Sequence, residues 1–149
     1  MIRSASKEGP MPLSPEKIAR VRQSFDELQP LHEPTSMQFY ESLFAREPEL
    51  RSLFREDLKG QGMRFMNTLG LLLADMEHPG KPSVNYSELG KLHRVLGIRQ
   101  AHFEPMKEAL METLKARLGD ALTPSLEAAW REAFDSFSER LIEEGEIPA

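Results

Sequence analysis

LKGQGMRFMNTLGLLLADM, residues 58–76, decides the fold class. Leu58, Gln61, Phe65, Leu69, Leu72 and Met76 recur at steps of three and four, so they share one face of a helix. The same period runs through most of the chain. Upstream, Ser14-Pro15 has the chemistry of a helix start, with serine as cap and proline at the first helical position. Ile18, Val21, Phe25 and Leu28 then mark one face. After a break predicted around Pro30 to Pro34, a second helix carries Met37, Tyr40, Leu43 and Phe44. Pro48 opens a short third segment with Leu50, Leu53 and Phe54.

Downstream, HPGKPS (residues 78–83) reads as a loop. Leu89, Leu92, His93 and Leu96 lie on one side of a helix that Gly97 ends. A further helix is predicted over about residues 101–118, with Phe103, Met106, Leu110 and Leu114 inward and Gly119 at its end. Thr123-Pro124 caps the last helix, whose inner face is Leu126, Trp130, Ala133, Phe134, Phe137 and Leu141. Strand-like alternation is scarce. About seven helices of unequal length, with no heptads, predict an all-α domain of crossed helices rather than an up-and-down bundle.

The chain has 149 residues, 40% of them hydrophobic, which suits one packed core. Residues 1–13 read as a flexible tail and residues 14–149 as the domain. The net charge of −5 argues against generic nucleic-acid binding. The first thirteen residues lack the apolar core of a secretory leader, and the apolar run LGLLLADM (residues 69–76) is too short to span a bilayer. The expectation is a soluble, cytoplasmic protein with no membrane partner. With no cysteine, disulfides, iron–sulfur clusters, a thiolate-ligated haem and a thioether-linked cofactor are excluded.

Four histidines remain as metal ligands: His32, His78, His93 and His102. Their spacing supports neither a zinc site nor a di-iron bundle site, and no nucleophile elbow is present. Haem iron asks the protein for a single imidazole. His93 lies inside an apolar helix face, where it is either a core histidine or such a ligand. Tyr40 on its stripe suits a core tyrosine equally well. Gln61 is the odder residue, because a buried unpaired amide costs roughly 1–3 kcal/mol, unless its side chain reaches solvent. His32 and His78 are expected to be exposed in loops.

The ordered set of these residues resembles a bacterial single-domain globin, similar to the globin domain of flavohaemoglobins. FYESLFAREPELRSLF (residues 39–54) resembles the second and third helices of that family, with Tyr40 as the distal tyrosine and Phe54 as the phenylalanine that wedges the haem. QGMRFMNTLGLLL (residues 61–73) resembles the distal helix, with Gln61 as distal glutamine and Phe65 one turn on. LGKLHRVLGI (residues 89–98) resembles the proximal segment, with His93 as iron ligand. AAWREAF (residues 128–134) is similar to the tryptophan-bearing last helix. The resemblance covers about residues 14–144. It implies haem b lined by Phe54, Phe65, Leu89, Leu92, Ile98, Phe103 and Met106, with Arg64 as a partner for a haem propionate.

Such a pocket implies reversible binding of O2, or of NO or CO, with Tyr40 and Gln61 donating hydrogen bonds to the partly negative O2. The alternatives are an NO dioxygenase fed by a separate reductase, and a gas sensor acting through a partner protein. Two departures weigh against the dioxygenase. Flavohaemoglobins carry a tyrosine beside the proximal histidine, linked to a glutamate of the last helix. The position matching the tyrosine is Phe103, and the glutamate has no secure match: Glu143, Glu144 and Glu146 lie near, while the position in register is Gly145.

Overall fold

The computed structural model describes residues 13–54, 58–78, 80 and 83–149. Among the described residues six α-helices follow one another: α1 (Pro15–Glu27), α2 (His32–Arg46), α3 (Leu58–Glu77), α4 (Tyr86–Leu96), α5 (Phe103–Leu118) and α6 (Pro124–Gly145). Among the described residues there is no strand. The short third segment is a 3-10 helix, Pro48–Leu53, rather than an α-helix. No helix is long and apolar enough to cross a membrane among the described residues.

The caps read from sequence are made. Ser14 accepts from the Lys17 N–H at 3.2 Å, and Thr123 accepts from the Leu126 N–H at 3.2 Å. Gly97 takes φ 97°, the left-handed value that ends α4. The predicted break at Pro30 to Pro34 is shorter in the structure: a 3-10 turn over Gln29–Leu31, with α2 running on from His32. Pro34 fits there because the first turn of a helix has no acceptors for its own N–H groups. Of the expected tail, residues 1–12 lie outside the described residues, and Leu13 is buried in the core.

The helices cross, and small residues sit where they cross most closely. A Cβ on Gly62 of α3 would lie 2.4 Å from Ser36 Oγ and 3.6 Å from the Tyr40 ring of α2. Gly70 of α3 backs onto the Phe25 ring of α1. At the opposite end of the fold, α4 rests chiefly on α6. Here Gly90 and Gly145 touch backbone to backbone: a Cβ on Gly90 would meet Leu141 O at 2.5 Å and Gly145 Cα at 2.8 Å. Trp130, fully buried, ties α6 to α1 by donating from Nε1 to Ser24 Oγ at 2.9 Å.

The Gly90 contact positions the helix that carries His93. A methyl group there meets backbone, which cannot swing aside as a side chain would. Gly90→Ala is therefore expected to destabilise by about 1–2 kcal/mol, since overpacking costs roughly 1–3 kcal/mol and alanine's better helix propensity returns up to about 1. Chemical denaturation checks it; an unchanged midpoint would mean that α4 can slide on α6 without penalty.

Candidate functional site

The tight α2–α3 crossing brings an aromatic cluster together. The Tyr40 ring lies 5.1 Å from Phe54 and 6.3 Å from Phe65, and Phe65 stacks on Phe39 at 4.5 Å. Phe54, half-buried at the end of the 3-10 helix, also leans on Phe44 at 5.5 Å. Phe54→Ala should cost about 2–3 kcal/mol, below the roughly 3–5 kcal/mol of a fully buried ring. Thermal denaturation of the ligand-free protein tests this.

Tyr40 is only 4% exposed. Burial pushes its pKa well up, opposed in part by the nearby Arg64 charge. The phenol is thus a neutral donor throughout the physiological range. Tyr86, at the start of α4, is shifted the same way, mainly by burial. The sign for stability follows. In the unfolded chain both phenols ionise near pH 10 and in the folded chain they resist. Stability is therefore expected to fall as pH rises above about 10, and Tyr40→Phe should blunt that loss in alkaline denaturation.

Gln61 sits half-buried one helical position before Gly62. Its Oε1 accepts a hydrogen bond from Arg64 Nη2 at 2.8 Å. Arg64 is exposed, and this bond is the contact it makes within the site. The i, i+3 spacing of the pair was visible in sequence, but not that the arginine would turn back onto the glutamine.

On α4, His93 is half-buried, and its ring lies 6.3 Å from that of Phe103, which is buried. Its Nδ1 lies 2.8 Å from Leu89 O. A carbonyl only accepts, so Nδ1 carries the proton and the Nε2 lone pair is free. Around it, α4 presents a bare apolar face: Leu92 is 62% exposed, Val95 73% and Leu96 42%. Leu89 and Met106 are half-buried against the core, and Ile98 is fully buried.

Two histidines make contacts that their place in the sequence does not show. His32 is not an exposed loop residue: it opens α2, packs 5.3 Å from the Phe25 ring and leaves Nε2 buried without a partner. Burial lowers its pKa. His102 approaches Glu47 and Glu49, with polar atoms of all three within 4.8 Å of one another. Its Nδ1 accepts the Arg99 N–H at 3.0 Å, so the neutral ring carries its proton on Nε2, which faces Glu49 Oε2 at 3.7 Å. That tautomer offers no lone pair to a metal between the carboxylates. Sequence distance hid this cluster, because it joins segments some fifty residues apart. His78 is exposed, as expected.

The Globin family profile matches residues 37–141. The chain is 29% identical over 133 residues to a flavohemoprotein of Bordetella pertussis, covering 87% of this chain and 33% of that protein. It is 27% identical over 128 residues to the flavohemoprotein of Bacillus subtilis (84% and 32%). It is 26% identical over 133 residues to that of Deinococcus radiodurans (87% and 33%). The chain thus spans about a third of the length of these curated relatives.

Proposed function

The chain belongs to the globin family, and on that premise we propose that it binds one haem b through His93 and takes up O2 reversibly on the opposite side. The observation that carries this is the His93 imidazole: Nδ1–H is donated to Leu89 O, so Nε2 is held ready as a ligand. The residues present fit the group. The bare apolar face of Leu92 and Leu96 asks for a cover, and the Tyr40 phenol, held neutral by burial, and the half-buried Gln61 amide are polar groups set among apolar ones. Haem, when bound, supplies the iron that takes the diatomic ligand and draws negative charge onto it.

In this proposal the chain's own residues divide the work. His93 would hold the iron through Nε2. Phe54, Phe65, Leu89, Leu92, Ile98, Phe103 and Met106 give apolar surface that keeps water away. Tyr40 and Gln61 offer donors to the ligand. With no cysteine in the chain, the haem b is not tethered and acidified solvent should extract it.

The proximal side favours a reversible binder over an NO dioxygenase. Phe103 has no hydroxyl to place beside His93, and Gly145 is packed so closely on Gly90 that no side chain fits there. The Leu89 carbonyl is then the polar partner of His93. The test is the absorption spectrum of the purified ferrous protein as O2 is added and removed. A spectral change that reverses over many cycles is expected. Sustained nitrate production from NO with a supplied flavin reductase, in place of reversible uptake, would make it a dioxygenase.

A further inference from the structure

We infer that Arg64 is the positioning residue for the Gln61 side chain, and that it selects which end of the amide faces the ligand. The inference rests on the proposed distal role of Gln61. A glutamine amide has a donor end and an acceptor end of nearly equal shape. Turned one way it presents N–H groups to a partly negative ligand; turned the other way it presents a repelling oxygen. A lone glutamine on a helix is free to do either.

Arg64 removes that freedom. A guanidinium has only donors, so the atom 2.8 Å from Arg64 Nη2 must be Oε1. The Nε2 amide group then points away from Arg64. The bond to a charged donor also draws electron density toward Oε1 and makes the opposite N–H groups better donors. The same guanidinium is close enough to Tyr40 for its charge to act on the phenol. Arg64 is exposed, so it acts from the rim and fills none of the ligand space.

The test is a double-mutant cycle with a second readout. In the haem-loaded protein, Arg64→Met should raise the O2 dissociation rate by about two- to tenfold. Arg64→Lys should restore part of the wild-type rate. In the Gln61→Leu background, Arg64→Met should change nothing further. An equal acceleration in that background would overturn the inference, because Arg64 would then act directly or through the haem edge. The second readout is the Gln61 side-chain amide in 15N-labelled, ferrous CO-bound protein. In wild type it should exchange slowly with solvent and be rigid; in Arg64→Met it should become as mobile as an exposed glutamine. Unchanged amide mobility would also overturn the inference. If Gln61→Leu alone leaves O2 release unchanged, the distal role of Gln61 falls, and the amide measurement still decides whether Arg64 orients it.

Discussion

Replacing His93 by glycine is expected to remove most haem binding from the purified protein, and added imidazole is expected to restore it. The side chain is the one imidazole on the bare apolar face of α4, and its Nδ1–H is already committed to Leu89 O. Loss of a partner that merely orients a metal ligand typically costs about 10–100-fold in metal affinity. Loss of the ligand itself should cost more than about a hundredfold. The cavity left by His93→Gly is imidazole-shaped, so free imidazole can take the place of the side chain. The measurement is haem content after gel filtration, with and without imidazole. His78→Gly and His102→Gly serve as controls, because the first is an exposed residue and the second is closed to metal by its tautomer. A His93→Gly protein that keeps wild-type haem content and ferrous spectrum without imidazole would remove the assignment.

The fold was legible because its determinants are local. Apolar steps of three and four, Ser14 and Thr123 as caps, and Gly97 as a stop are all matters of neighbouring residues, and the structure makes each of them. Helix boundaries depart from the local rules where packing or position in the turn overrides them. Pro34 was counted as a breaker, although a proline in the first turn removes no helical hydrogen bond. His32 looked like a loop histidine for the same reason, and it became part of the packing against Phe25 once α2 began two residues before Pro34.

The candidate site was legible in its types and not in its wiring. Tyr40, Gln61 and His93 stood out as polar residues on apolar faces. What each is bonded to depends on rotamers and on pairs brought together by helix crossings. Periodicity carries no signal for the Arg64–Gln61 bond, for the His102–Glu49 approach or for the backbone contact of Gly90 with Gly145. The last of these is the more instructive. Their missing side chains are what allow α4, the helix that carries His93, to lie directly on α6.

Tyr40→Phe is expected to speed O2 release by about ten- to a hundredfold while leaving CO release nearly unchanged. The phenol is buried and neutral. Its hydroxyl is a donor that a bound ligand can use. A ligand that gathers negative charge supplies the acceptor, and a hydrogen bond to such a group is worth about 1.5–3 kcal/mol, which converts to the stated rate change. Phenylalanine keeps the ring, and with it the packing on Phe54 and Phe65, so volume and shape are held constant. CO gathers much less charge on its outer atom, so its release reports steric effects alone. Gln61→Leu should act in the same direction, and the double mutant should release O2 at least as fast as either single one. Stopped-flow displacement of O2 by excess CO gives all the rates. If both single mutants and the double mutant release O2 at the wild-type rate, the hydroxyl and the amide do not face the ligand, and the distal side must be closed or used in another way.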